Sequence, residues 1–190
     1  MNRYHDTVSK VDVSNEALHE DFSKEDDYGA YLGLAQLLQA QNTVTTQHDE
    51  MMFVIVHHVS ELWMKLALHE LHAARELVKQ DNLGPSFKML SRVSRIQNQL
   101  EEVWGVVATM TPADYVAFRD SLGHASGFQS FQYRKLEFVL GNKNPAMVRV
   151  FKDKPDIHAD VQAALQEPSL YDEVLRLLAR RGLPIPKHKT

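Results

Sequence analysis

From Tyr28 onward the apolar positions of this chain return every third or fourth residue, the spacing of helices that bury one face. Tyr31, Leu34, Leu37 and Leu38 set out the first such face, over Tyr28 to Gln41. A polar connector rich in threonine, Asn42 to Gln47, leads into a much longer pattern. This one opens on His48-Asp49-Glu50, acids suited to the positive end of a helix, and no glycine or proline interrupts it before Asn82. Phe53, Val56, Val59 (or Ser60) and Trp63 mark its stripe, and Leu66, Leu68, Leu71 and Leu77 continue it to about Gln80. Asn82 to Ser86, with Gly84-Pro85 as punctuation and Ser86 as a cap, reads as a turn. A helix from about Phe87 to Met110 follows, with Leu90, Val93, Ile96, Leu100, Val103, Trp104 and Val107 on its apolar side.

Thr111-Pro112-Ala113-Asp114 is a strong start signal: a capping hydroxyl, proline at the first helical position and an acid in the first turn. That helix runs to Ser121 and stops at Gly123. Gly123 to Gly127 is a loop. Phe128 to Leu140 is helical again and ends at Gly141, and Asn144-Pro145 opens a short helix through Phe151. Pro155–Gln166 and Pro168–Arg181 complete the pattern, the latter stopped by Gly182. No segment alternates with the period of a strand. The expectation is an all-α protein, a long-helix bundle over residues 27–190, preceded by a polar, acidic arm over residues 1–26 that buries little.

Composition narrows the classes. Of 190 residues 44% are hydrophobic and 24% charged, ordinary for a globular chain with a core. A net charge of −4 argues against a nucleic-acid partner. The chain lacks the run of about 18 uncharged apolar residues expected of a membrane span, and residues 1–10 carry no apolar signal core. With no cysteine there is no disulfide and no thiolate site, so a cytoplasmic protein is the simplest expectation.

Ten histidines stand out, five of them (His48, His57, His58, His69, His72) in one stretch. His57 with Glu61, and His69 with His72, share helix faces at ligand-like spacing, but a salt-bridged surface explains both without a third ligand. A di-iron bundle would want two Glu-x-x-His pairs, and only Glu16 to His19 is found. Phe53 and His57 lie one turn apart on an apolar stripe. That histidine is either a core residue bonded to a backbone carbonyl or a polar partner lining a hydrophobic pocket. Tyr115 and Arg119 form another such pair. Arg119, beside a glycine-bounded loop, suits either helix C-terminal stabilisation or bidentate capture of a carboxylate. Ser126-Gly127-Phe128-Gln129-Ser130 enters a helix with free N–H groups but matches no phosphate-loop or nucleophile-elbow motif.

Taken in order, these segments resemble the tryptophan 2,3-dioxygenase family. The resemblance rests on Tyr28 to Leu32 with Leu37, Leu38 and Gln41, His48 to His57 running into Ser60-Glu-Leu-Trp63, and Leu100 to Trp104. Thr111-Pro112, Phe118-Arg119-Asp120, Ser126 to Arg134 with Glu137, Leu140 to Pro145 and Pro168 to Tyr171 continue it, over about residues 27–186. It implies a haem b enzyme that adds both atoms of O2 across the indole C2–C3 bond of L-tryptophan to give N-formylkynurenine, as a homotetramer. By the same resemblance His57 hydrogen-bonds the indole N–H, and Phe53 packs on the indole with Val54, Ile55 and Val56 beside it. Arg119 takes the carboxylate with Tyr115, Trp104 and Ser126 lie beside the haem, and Tyr28 and Tyr31 belong to an arm that closes a neighbouring subunit's pocket. The family's axial histidine stands in a later context, near an Arg-His pair and a glycine-rich loop, that neither His124, His158 nor His188 matches. The expectation is therefore a chain carrying the substrate-binding part without the iron's ligand. The alternatives are a haem-free indole-binding helical module and a related haem-dependent aromatic hydroxylase.

Overall fold

The computed structural model describes residues 28–185, whose regular elements are all helical, with no strand among them. The polar arm expected over residues 1–26, the Glu16–His19 pair and the basic end from Lys187 lie outside the described residues. The chain forms two compact units, one up to Ala40 and one from Gln41 onward.

In the first unit α1 (Tyr28–Leu32) and α2 (Leu34–Gln39) replace the single helix expected. Gly33, at φ 61°, separates them, because a left-handed residue cannot continue a right-handed helix. Tyr28 and Tyr31 are 74% and 87% exposed.

The second unit is built on α3 (His48–Lys79), the long helix expected. It is the one described helix long and apolar enough by length and composition to cross a membrane. Here its core face packs in the bundle. Glu50, 1% exposed, ties the preceding connector to its first turn by accepting from the Val44 and Thr45 N–H groups (2.6 and 2.8 Å) and from the Thr45 hydroxyl. Those three donors hold the Glu50 carboxyl below its ordinary range, the Thr45 hydroxyl foremost.

After Asp81 and Asn82 the chain enters α4 (Leu83–Glu102). The expected turn over Gly84-Pro85-Ser86 is instead the first turn of α4. Proline is tolerated there because a first-turn N–H has no intrahelical partner to lose. Ser86 is not a cap; fully buried, it donates to the Ala74 carbonyl, where small side chains let α3 and α4 approach closely. The helix expected to continue to Met110 breaks at Val103, and a short α5 (Trp104–Val107) follows.

The start signal at Thr111 works as expected. It opens α6 (Pro112–Arg119) with a full capping box, in which Asp114 Oδ2 accepts from the Thr111 N–H at 3.0 Å. Two 3-10 turns, Asp120–Leu122 and Gly127–Gln129, lead to α7 (Phe131–Leu140), which ends at Gly141 (φ 112°). A 3-10 segment, Pro145–Phe151, precedes α8 (Pro155–Gln166) and α9 (Leu170–Arg180), the latter opened by a capping box at Ser169.

The main core joins α3, α4, α7 and α9 through Met64, Leu68, Leu71, Val93, Ile96, Leu136, Val139 and Leu177. A smaller core seats α8 and the preceding 3-10 segment on the far side of α7 through Phe138, Val148, Phe151 and Val161. Arg180 locks α9 to the end of α3: its Nη2 donates to the carbonyls of Val78 and Lys79 (3.1 and 3.2 Å), and its Nε pairs with Asp81 (3.1 Å). Those carbonyls belong to the last turn of α3, where Val78 also accepts from the Asp81 N–H (3.1 Å) and Arg180 adds a further donor.

Candidate functional site

One face of α3 carries the site. Phe53, His57, Ser60, Glu61 and Met64 follow the helical repeat, so they line up along one stripe. His57 Nδ1 lies 2.7 Å from the Phe53 carbonyl oxygen, the distance of a ring N–H donating back one turn. In the neutral ring this assigns the proton to Nδ1 and leaves Nε2 as an acceptor. This histidine is half-buried rather than a core residue: it bonds a backbone carbonyl and also lines a pocket.

That pocket is a cavity of about 440 Å³ beside His57. Its α3 wall is His57, Ser60, Glu61 and Met64. Leu100 and Trp104 face them from either side of the α4–α5 break. The third wall is the Ser126–Ser130 loop with Phe128, continued by Tyr133 and Arg134 of α7. The lining is mainly apolar. Ser126 caps its own 3-10 turn by accepting from the Phe128 N–H (3.3 Å), and Ser130 caps α7 through the Tyr133 N–H (3.1 Å). Gln132 ties α7 to α3 by donating to the Glu61 carbonyl (2.9 Å) and Oε2 (2.8 Å).

Arg134 is the unusual wall residue. It is 6% exposed, its Nη1 pairs with Glu137 at 2.6 Å, and its guanidinium sits 4.7 Å from the Tyr133 ring centroid. Its Nε is buried without a hydrogen-bond partner. A buried donor left unpaired in this way is costly to the fold.

Behind His57 lies an aromatic cluster. The Phe53 ring is 4.2 Å from the His57 ring, 6.0 Å from Tyr115 and 5.6 Å from Phe118. Tyr115 and Phe118 stand edge-on at 5.6 Å, and Trp104 meets His57 edge-on at 6.0 Å. Tyr115 and Phe118 thus bring α6 against α3. Arg119 follows on α6, half buried, with Nη1 donating to the Gly123 carbonyl (3.2 Å). The Asp114 carboxyl that opens α6 sits below its ordinary range because the Thr111 hydroxyl and N–H donate to it.

The expected residues are therefore sorted as follows. His57, Trp104 and Ser126 line the cavity, and Phe53 and Tyr115 form the cluster against it. Arg119 stands on the helix that Tyr115 anchors and does not itself line the cavity. Val54, Ile55 and Val56 do not line it either: they are rotated off the Phe53–His57 stripe, with Val56 in the core and Ile55 exposed. Tyr28 and Tyr31 belong to the amino-terminal unit. Sequence reasoning missed Met64, Leu100, Tyr133 and the charged role of Arg134. For Arg134 the sequence held no signal of this: Glu137, three residues on, makes the two read as an ordinary surface ion pair. Among the described residues no group of three or more His, Cys, Asp or Glu side chains could hold a metal ion.

A family model described as tryptophan 2,3-dioxygenase matches residues 13–189. Curated proteins of that name are similar to the chain. One from Bacillus cereus is 50% identical over 175 residues, covering 92% of this chain and 63% of the relative. One from Cupriavidus necator is 58% identical over 165 residues, covering 87% of this chain and 56% of the relative. One from Burkholderia mallei is also 58% identical over 165 residues, covering 87% of this chain and 54% of the relative. The chain thus spans 54–63% of the length of these relatives. A match over all the described residues, with these relatives 50–58% identical, shows that this chain belongs to the tryptophan 2,3-dioxygenase family.

Proposed function

We propose that this chain supplies the substrate-binding portion of a haem-dependent tryptophan 2,3-dioxygenase, acting on L-tryptophan and O2 in tryptophan catabolism. The observation that carries this reading is His57. Its Nδ1 is committed to the Phe53 carbonyl, so in the neutral ring Nε2 is left as an acceptor beside an apolar cavity. An indole N–H is the donor such a site fits, and the Phe53 ring, 4.2 Å from the His57 ring, is the aromatic surface nearest that acceptor.

Arg119, carried by α6 together with Tyr115, is the cation for the substrate carboxylate. Its Nη1 holds the Gly123 carbonyl, which sets the fork's orientation, and the remaining guanidinium N–H groups are the donors for bidentate pairing. A site requiring both an N–H and a carboxylate rejects analogues that lack either, because its own polar groups would go unpaired.

Support for haem b against this side of the chain comes from the mainly apolar walls, with Trp104 and Ser126 in them. Bound haem supplies the oxygen chemistry, in which both atoms of O2 enter the indole C2–C3 bond to give N-formylkynurenine. The residues of this chain hold the indole ring in place by its N–H and its face, fix the far end through the carboxylate, and exclude water with the aromatic cluster. No residue of this chain is assigned as the iron's axial ligand. The exposed Tyr28 and Tyr31 support an arm reaching a neighbouring pocket in a cytoplasmic homotetramer.

Calorimetry of L-tryptophan and of indole on wild type and Arg119→Ala tests this reading. The variant is expected to lose L-tryptophan affinity by roughly 1.5–3 kcal/mol, as for a hydrogen-bonded charge, and to bind indole almost unchanged. Equal losses for the two ligands remove the carboxylate role.

A further inference from the structure

Phe118 precedes Arg119 on α6, and its side chain points the other way, into the aromatic cluster. It is 1% exposed, the most enclosed member of that cluster. Its ring meets Phe53 edge-on at 5.6 Å and Tyr115 edge-on at 5.6 Å, while Phe53 and Tyr115 themselves sit 6.0 Å apart. The three rings close a triangle in which Phe118 touches both other members from behind. Phe53 lies against His57 with the two rings tilted by 42°, and Tyr115 stands one turn before Arg119 on the same short helix.

This placement gives Phe118 two mechanical roles at once. It stops the Phe53 ring from retreating away from His57, which sets how deep an aromatic ligand can sit. It also pins α6, which consists of only eight residues, against α3. A helix that short has little stability of its own and takes its position from packing. The backbone that carries Tyr115 and Arg119 is therefore located by the Phe118 contact.

We propose that Phe118 is a positioning residue for the ligand: acting through Phe53 and Tyr115, it fixes the distance between the indole-binding surface at Phe53–His57 and the carboxylate-binding end at Arg119. This inference rests on the function proposed above. It adds that recognition of the two ends of the ligand is coupled through one buried ring that touches neither end. A ligand with both ends depends on that distance; a ligand with only the indole end does not.

The test is Phe118→Leu, which keeps an apolar side chain and removes the flat ring, with Phe138→Leu as its control. Phe138 is also fully buried but lies in the second core, against Val148, Phe151 and Val161. Affinities for L-tryptophan, indole-3-propionate and indole are measured by calorimetry on the full chain, and stability by urea unfolding. Both variants are expected to lose stability. Only Phe118→Leu is expected to change selectivity, weakening L-tryptophan and indole-3-propionate about tenfold while indole falls less than about threefold, since misplacing a clamp costs only the ligand that uses it. Should Phe118→Leu fail to fold, Phe118→Met, whose unbranched flexible chain fills irregular space, carries the same comparison. The proposal is overturned if the ratio of indole-3-propionate to indole affinity is the same in wild type and the Phe118 variant, or if Phe138→Leu shifts it equally. A wild-type chain that binds indole-3-propionate no better than indole overturns the carboxylate end of the proposed function together with this inference. A wild-type preference that survives Phe118→Leu overturns the inference alone.

Discussion

Methylating the indole nitrogen of the ligand removes the one donor that the His57 geometry calls for. With Nδ1 held 2.7 Å from the Phe53 carbonyl, the neutral ring cannot offer Nε2 as a donor without breaking that bond. Indole then satisfies the Nε2 lone pair inside an apolar wall, and 1-methylindole leaves it buried and unmatched. Net hydrogen bonds contribute about 0.5–1.5 kcal/mol, but a buried acceptor left unpaired costs about 1–3 kcal/mol. The second figure governs here, because the methyl group also displaces any water that would serve the nitrogen. Wild type is therefore expected to prefer indole over 1-methylindole by about 5- to 150-fold at one factor of ten per 1.4 kcal/mol. His57→Leu keeps the apolar wall and removes the acceptor. It is expected to bring the ratio to within about threefold of unity, mainly by losing indole affinity. Calorimetry on the full chain at neutral pH measures all four affinities. A His57→Leu chain that still discriminates as wild type does would show that the indole nitrogen lies elsewhere, and the tautomer argument would fail with it.

Three further outcomes concern the scaffold. The Glu50 carboxyl is held below its ordinary value of 4.5 by the Thr45 and Val44 donors, so its contribution is complete above that value and lost as pH falls through the lower, folded value. Urea unfolding of wild type and Glu50→Gln should thus show a constant stability gap from pH 7 to about 5 that narrows toward pH 3; a gap that widens in acid reverses the sign and refutes it. Arg180→Met keeps the aliphatic stem but drops the bonds to Val78, Lys79 and Asp81, and is expected to cost about 1 kcal/mol, a charged bond discounted for its half-exposed setting. Gly141→Ala places a Cβ 3.2 Å from the Tyr171 Cβ at a backbone φ of 112°, and should lower unfolding stability by about 1–2 kcal/mol, with no loss refuting the strain.

Periodicity and punctuation were enough for most of the helices. The unbroken run from His48 became α3, and Thr111-Pro112 with Asp114 became a capping box, because these signals act within one turn of the chain and need nothing distant. Where expectation and structure parted, tertiary contact decided. Gly84-Pro85 reads as a turn, yet Ser86 fits only by being buried under Ala74, and that close approach draws the segment into α4. The break at Val103 has only Gly105, two residues on, to mark it in the sequence, and it is the break that turns Trp104 into the cavity wall.

The candidate site divides in the same way. Phe53 and His57 at one-turn spacing, and Tyr115 with Arg119, were legible because a helix converts sequence separation into a shared face. The residues between them were less so: the same rotation that unites Phe53 with His57 turns Val54, Ile55 and Val56 aside. Arg134 and Phe118 look in sequence like an exposed cation and a core filler. Only the packing of α7 and α6 against α3 makes one a buried donor in a cavity wall and the other the ring behind Phe53. Local hydrogen bonding and periodicity are written residue by residue along the chain, so the sequence alone determined the helices and the polar groups they display. Which of those groups meet across long stretches of chain depends on how faces dock, and that was settled only by the buried contacts of the folded chain.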